Sequence, residues 1–162
     1  MAATIMAEDF EARVLTALAG INGAGAYNFD LSATGAVQRG GSQTSGHNPP
    51  TARIYCQVAQ GDHAQRLGWL SFWMTFQIEL QVAATGSTGV LRKQAAWQIV
   101  SDVFVALRLE TVAATAGSLR AIGACEQLLS VDYIGGDELD SPGGVVTAHI
   151  SLRLRYESAT GI

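Results

Sequence analysis

The residues best suited to chemistry in this 162-residue chain are its three histidines and two cysteines. His47 lies in a Gly/Ser-rich segment, His63 in a predicted hairpin loop and His149 in a predicted strand. A zinc site needs ligands at short, repeated spacings, whereas Cys56 and Cys125 are far apart and form no CxxC motif. We therefore expect no metal site, no cofactor and no catalytic residues in this chain.

Other sequence signatures of catalysis or ligand binding are also missing. No GxSxG motif occurs, and the glycine-rich stretch 20–25 follows a predicted helix, whereas a phosphate-binding loop precedes one. The acidic segment 135–140 lacks the ligand spacing of a calcium loop, so a solvated turn is expected there. His149, Arg153 and Arg155 form a row that could bind an anion, but such rows more often pair with acids on a neighbouring strand or subunit.

The low charge content indicates that much of the surface is covered by other chains. Charged residues make up 15% of the sequence, against about 25% in a typical domain. The net charge of −4 disfavours a nucleic-acid binder that relies on phosphate contacts. We expect no signal peptide, and no membrane span, since no uncharged apolar stretch reaches about 18 residues. These features favour a tight homo-oligomer.

A long alternating strand between Gly68 and Ala84 organises the rest of the chain. Every second residue is large and apolar, namely Leu70, Phe72, Met74, Phe76, Ile78, Leu80 and Val82. This period of two predicts a strand with one face in a core. Trp69 and Trp73 lie on the opposite face among Ser, Thr, Gln and Glu, so something must shelter the two indoles. Either another chain or the apolar side of the N-terminal helix would do so.

One amphipathic helix is predicted before this strand in the sequence, over residues 5–20, and one after it, over residues 90–109. Both predictions rest on apolar residues spaced three and four apart. In the second helix, Trp97 falls near the boundary between the apolar and polar sides. The residues expected largely on its outer, polar side are Lys93, Gln94, Gln98, Ser101 and Asp102.

Alternating patterns predict the remaining strands. They are a weak strand over 26–31 with a continuation at 36–38, a strand over 53–58, and two closing strands over 124–134 and 146–157. Residues Arg39 to Pro50 contain no large apolar residue and predict a flexible loop, either mobile or ordered by a partner. The sequence thus predicts one α+β domain over residues 1–162. Its antiparallel or mixed sheet carries one main amphipathic helix on one face, and a helix and turn occupy residues 1–24.

The order of these elements resembles that of bacteriophage tail terminator proteins, also called tail completion or minor tail proteins. The likeness includes Pro49-Pro50-Thr51-Ala52-Arg53-Ile54 before a strand, the helix around Trp97–Leu107, and the terminal Ile150-Ser151-Leu152-Arg153-Leu154-Arg155-Tyr156. It covers nearly the whole chain and is a likeness of layout. It implies a structural subunit of a ring, commonly a hexamer, that caps the tail tube and joins it to head-completion proteins. It further implies assembly in the host cytoplasm, a place in the virion, and DNA only as cargo in the lumen.

Two sets of residues are candidates for contacts in such a ring. The candidate subunit-interface residues are Trp69, Trp73, Arg153 and Arg155. The candidate partner-contacting loop residues are Arg39, His47, Pro49, His63 and Arg66. Two alternative functions stay open, another ring of the head-to-tail connector and a dimeric α+β protein that binds a small ligand. The ligand binder would need polar groups among the apolar positions of the sheet, and the sequence shows none there.

Overall fold

The computed structural model of the protein describes residues 3–40, 48–61, 69–84, 91–107, 125–134 and 143–159. At residues 3–10, 56–61, 69–74, 125–134 and 153–159 it describes the backbone alone. The described elements, in chain order, are α1 (Ala3–Ala19), β1 (Val37–Arg39), β2 (Thr51–Gly61), β3 (Trp69–Ala84), α2 (Arg92–Leu107), β4 (Cys125–Ile134) and β5 (Gly144–Ala159).

The strands form one five-stranded sheet in the order β1-β2-β3-β5-β4. The short β1 runs parallel to β2, and every other neighbouring pair is antiparallel. The central pair is the longest, with β3 and β5 in register from Trp69 opposite Ala159 to Ala84 opposite Gly144. The predicted α+β fold with a mixed sheet is therefore confirmed.

The core lies on one face of the sheet, where the alternation of β3 and β5 directs their apolar side chains. Every described apolar residue at the alternate positions of these strands is buried, namely Phe76, Ile78, Leu80, Val82, Val146, Ala148, Ile150 and Leu152. They share a single core with the buried side chains of α2, such as Ile99, Val103 and Leu107. Complete burial of an aliphatic side chain of this size contributes about 1.5–3 kcal/mol, so this face dominates stability.

Both helices pack on this same face. Helix α2 contacts β3 and β5, while α1 contacts α2, β1 and β2. Val14, Leu18 and the residue after the helix, Ile21, belong to the common core. Helix α1 ends at Ala19, where the amide of Gly20 donates to the carbonyls of Thr16 and Ala17 at 3.2 and 3.1 Å.

The start of α2 is joined to the start of β5 by an arginine. The Nε atom of Arg92 donates to the carbonyl of Gly143 at 2.7 Å. Gly143 and Gly144 have φ angles of 74° and 82°, a region that residues with a Cβ rarely adopt. A Cβ at Gly144 would also lie 2.9 Å from the Cζ atom of Arg92, so the flexible guanidinium would have to shift.

The predicted strand over residues 26–31 is wrong. This segment is a series of turns with a single bridge between Asn22 and Asp30. Its amides are not paired in a ladder, since those of Asn28 and Phe29 donate to the Asp102 carboxylate, both at 2.9 Å, and that of Leu31 donates to the carbonyl of Ile21 at 2.7 Å. Residues 37–39 form a separate strand, so Arg39 belongs to β1. Residues 41–47 of the predicted loop lie outside the described residues.

Candidate functional site

The face of the sheet opposite the helices carries polar side chains, and we call it the open face. Among the described residues, no helix covers it. Its described members on the three longest strands are apolar at Ala83 and Val145 and otherwise polar, namely Thr51, Arg53, Tyr55, Thr75, Gln77, Glu79, Gln81, Thr147, His149 and Ser151. They alternate with the buried core residues of the same strands, as the period of two requires.

At the centre of the open face, Tyr55 and Gln77 form a hydrogen-bonded cross-strand pair. They lie directly opposite each other on β2 and β3, and the Tyr55 hydroxyl donates to Oε1 of Gln77 at 2.6 Å. Ser151 lies opposite Gln77 on the other side. Gln77 is only 8% exposed, although it does not face the core. The neighbouring polar side chains therefore pack closely enough to exclude most solvent from this amide.

The surroundings of Tyr55 keep its hydroxyl protonated. Burial raises the pKa of Tyr55, the nearby negative charge of Glu79 raises it further, and Arg53 opposes them with a smaller effect. Because the phenol retains its proton at neutral pH, it continues to act as the hydrogen-bond donor to Gln77. This environment suits a structural donor better than a catalytic base.

A second row of facing residues crosses four strands and alternates basic with acidic residue types. In register, Arg53 on β2 lies opposite Glu79 on β3, Glu79 lies opposite His149 on β5, and His149 lies opposite Asp132 on β4. The Nε2 atom of His149 is 3.6 Å from Oε2 of Glu79. That nitrogen is buried and makes no hydrogen bond. Arg53 and Glu79 are the facing pair of opposite charge in this row, and such a pair stabilises a sheet by about 0.2–1 kcal/mol.

The register brings together the candidate subunit-interface residues, which lie towards one end of β3 and β5. Trp73 is opposite Arg155, and Arg153 is opposite Thr75, the next outward position of β3. Trp69 is opposite Ala159. The side chains of these candidates lie outside the described part of the structure. The backbone register alone therefore relates these positions.

The candidate loop residues are not gathered into one described site. Arg39 lies at the end of β1, and its Nε atom is 3.1 Å from Oε2 of Glu11 on α1. The side chains of this pair are 49% and 19% exposed, so it is a surface ion pair worth about 0.2–1 kcal/mol. Pro49 is half-buried and precedes Pro50 through a cis peptide bond. His47, His63 and Arg66 lie outside the described residues.

The outer side of α2 presents a tryptophan that sequence reasoning placed only near the boundary. Trp97 is 60% exposed, and Val105, two turns further along the same side, is 37% exposed. An open hollow of about 400 Å³ lies beside the indole. It is lined by Asn28, Lys93, Gln94, Trp97, Gln98 and Ser101. The spacing of four residues between Lys93, Trp97 and Ser101 was the available signal, because it puts all three on one side of a helix.

Asp102 corrects a second expectation, since it was predicted on the outer side of this helix and is completely buried. Its carboxylate accepts hydrogen bonds from the amides of Asn28 and Phe29, both at 2.9 Å, and from Nδ2 of Asn28 at 2.7 Å. Three donors compensate the desolvation of a buried carboxylate. Asp102 therefore fixes the 28–29 turn against α2, and with it the Asn28 wall of the hollow.

Searches for other kinds of site and for related proteins returned no match. In the part of the chain that the structure describes, no group of three His, Cys, Asp or Glu residues is placed to hold a metal ion. No described helix is both long and apolar enough to cross a membrane. No protein-family model and no curated protein matches the sequence. The candidate sites are thus two surfaces, the open face of the sheet and the outer side of α2.

Proposed function

We propose that this protein is a tail terminator, a structural subunit that forms a ring at the end of a bacteriophage tail tube. In this proposal the ring is commonly a hexamer that contacts itself, the tube protein and a head-completion protein. DNA passes through the lumen only as cargo. The protein has no enzymatic activity and no cofactor in this role, and it resides in the tail or neck of the virion.

The observation that carries the proposal is the order of the structural elements. The resemblance rests on an N-terminal helix, a short strand with a loose loop, a Pro-Pro entry to a strand, a long alternating strand, one amphipathic helix and two closing strands. The structure has the helices and strands in this order, as α1, β1, β2, β3, α2, β4 and β5, with the short strand at Val37–Arg39 and none at residues 26–31. A fold expected of the family supports the proposal, although a fold alone serves many functions.

The surface of the subunit also supports a role in assembly. A ring subunit needs at least two contact surfaces, one for each neighbour. The open face, with Trp73 and Arg155 at facing positions, and the outer side of α2, with Trp97, are two such surfaces. Tryptophan and arginine are the side chains most enriched at the energetic centres of protein interfaces. The low charge content agrees with a chain that buries much of its surface against others.

The structure bears differently on the two alternative functions, another connector ring and a small-ligand binder. Another connector ring would use the same surfaces, so only its binding partner distinguishes it from a terminator. A small-ligand binder would direct free polar groups into the core. The fully buried charged side chain of the described residues, Asp102, is instead engaged by Asn28 and Phe29. This observation favours the assembly role.

The proposal is tested by the mass and symmetry of the purified protein, followed by its binding to tail tubes. We expect sedimentation velocity to give a particle near six times the 17.0 kDa of the chain, and negative-stain images to show a ring. We expect the ring to bind the ends of assembled tail tubes and to leave their sides free. A compact dimer or a monomer would contradict the proposal, and a ring that ignores tube ends would favour another connector component.

A further inference from the structure

Among the described residues, backbone hydrogen-bonding groups at both edges of the sheet have no partner strand. On one side, β1 covers only Ala52–Ile54 of β2, and the amide of Gly40 then bonds the carbonyl of Ile54 at 2.8 Å. From Tyr55 to Gly61, the described residues give β2 no partner on that side. On the other side, β4 pairs with β5 and has no second described neighbour.

The hydrogen bonds of β2 to its neighbours determine which of its residues direct their backbone groups outward. Ala52 donates to Ala36 and Ile54 accepts from Gly40, both at 2.8 Å, so alternate residues from Ala52 face the β1 side. The register shift between Cys56 and Val58 inserts one residue and changes this phase. Beyond the shift, Ala59 faces outward, whereas Gln60 faces Trp73 on β3.

The same alternation, followed from β3 through β5, shows which backbone amides and carbonyls of β4 point to its open side. Ile78 of β3 faces β5, so its partner Ile150 faces β3 and the next residue, His149, faces β4. Asp132, the partner of His149, therefore bonds β5, and its neighbour Val131 directs its amide and carbonyl to the open side. Each edge thus has a backbone position that can be altered without removing a bond inside the sheet.

These two edges lack part of the protection that usually prevents strands of different chains from pairing. Edge strands are commonly guarded by lysines, prolines or extreme shortness. The segment Tyr55–Gly61 contains no charged residue and no proline, and β4 contains no lysine, arginine or proline over ten residues. The two acids of β4, Glu126 and Asp132, would meet no like charge on Tyr55–Gly61.

We propose that β4 of one copy of the chain pairs with the Tyr55–Gly61 segment of β2 in a second copy. The incoming β4 would lie beside β2 on the same side as β1, next to the residues that β1 does not cover. Because the two edges differ, the contact is head-to-tail, and each copy engages one neighbour through β2 and another through β4. A closed ring then leaves none of these edges open. This inference rests on the proposed ring and adds strand pairing at the sheet edges to the contacts proposed for the open face and the outer side of α2.

Proline substitutions at the two outward positions test the pairing. Ala59→Pro and Val131→Pro each remove one outward amide and add a ring that blocks an incoming strand, while every bond within the sheet remains. The matched controls, Ala59→Ser and Val131→Thr, keep the amide. We expect both proline variants to fold with wild-type circular dichroism and to sediment as monomers, and both controls to assemble as the wild type does.

Mixing the two proline variants tests which edges meet. The Ala59→Pro variant retains a usable β4 and the Val131→Pro variant retains a usable β2, so an equimolar mixture should form a one-to-one dimer that grows no further. A mixture that stays monomeric would overturn the pairing. So would dimers of the Val131→Pro variant alone, because they would show β2 pairing with β2.

Amide exchange on the wild-type chain gives a readout that does not depend on the variants folding. The amides of Ala59 and Val131 should be protected in the assembly and exchange freely after dilution to monomers, while those of Gln60 and Asp132 stay protected in both states. Equal exchange of Ala59 and Val131 in the two states would overturn the inference. An unchanged ring in both proline variants would overturn it and leave the proposed function intact, whereas a wild type that never assembles would contradict both.

Discussion

The two faces of the sheet are built from the same strands but are stabilised in different ways. On the covered face, Phe76, Ile78 and Leu80 are at most 1% exposed and pack in one core with both helices. On the open face, the alternate residues Gln77 and Glu79 contact Tyr55 and His149 through polar groups. The comparison indicates that the covered face determines whether the chain folds. The open face contributes polar contacts between strands, and no described helix covers it.

The largest effect is expected from a charge placed on the covered face. Phe76→Asp or Leu107→Asp buries an unpaired carboxylate, which costs more than the whole stability of a typical domain can offset. We expect no soluble folded protein by circular dichroism. The control is Thr75→Asp, one residue from Phe76 on the open face, which should fold. A normal thermal melt for either core variant would contradict the assigned core.

The next effect concerns the buried carboxylate of α2. Asp102→Ala leaves the amides of Asn28 and Phe29 and the side-chain amide of Asn28 without their acceptor. We expect a loss of about 3 kcal/mol in the free energy of unfolding, measured by urea denaturation, because unsatisfied buried donors cost about 1–3 kcal/mol each and some will find water. Ser101→Ala, on the exposed side of the same turn, should change stability by less than about 0.5 kcal/mol. Equal effects of the two substitutions would contradict the inference that Asp102 fixes the 28–29 turn against α2.

A substitution on the open face should separate assembly from folding. If the face is a subunit contact, Trp73→Ser should leave circular dichroism unchanged and weaken ring formation by about 2 kcal/mol or more, the usual cost of truncating an aromatic at an interface centre. Sedimentation and circular dichroism of the same sample give both quantities. If another part of the chain shelters the indole, the variant will lose its fold instead, and that outcome counts against the interface.

The smallest effect is expected at the Tyr55–Gln77 pair. Tyr55→Phe removes the hydroxyl that donates to Gln77 at 2.6 Å, and we expect a loss of about 1 kcal/mol at pH 7 by urea denaturation. Its pH dependence provides a sharper test. Because the pKa of Tyr55 is raised in the folded state, the folded protein holds the proton more tightly than the unfolded chain. This contribution is complete below the ordinary tyrosine pKa of 10.0 and is lost as the pH rises through the folded pKa.

Comparison with the Tyr55→Phe variant isolates this residue from the other groups that titrate at high pH. The stability difference between wild type and variant should stay constant up to about pH 9 and shrink above pH 10. A difference that does not change with pH would show that the phenol has the same pKa in the folded and unfolded chain.

Most of the fold could be predicted from local patterns, because a strand and a helix each require a characteristic spacing of apolar residues in the sequence. The alternation from Leu70 to Val82 gave β3, and the apolar seam through Val100 and Val103 gave α2. The predictions that failed concern residues whose partners are far away in the sequence. Asp102 turns inward because residues 28 and 29 bring three donors to it from 73 and 74 positions away, and the same contact replaces the strand predicted there.

The candidate site was predictable in part. The residue types at Trp73 and Arg155 pointed to an outward contact, but only the register of β3 and β5 places them opposite each other. Register is determined by all the side-chain pairs of two strands together, and no single residue reveals it. The shift between Cys56 and Val58, which decides which amides of β2 face outward, has no signal in the sequence.

The joint between α2 and β5 has a consequence for how this sequence can vary. The guanidinium of Arg92 occupies the space where a Cβ of residue 144 would lie, and the backbone there has a φ of 82°. A side chain at position 144 would push the flexible guanidinium of Arg92 aside and would itself adopt a strained backbone conformation. Among sequences that share this fold, position 144 should remain glycine whatever residue occupies position 92, because a movement of the arginine relieves the contact but not the backbone strain.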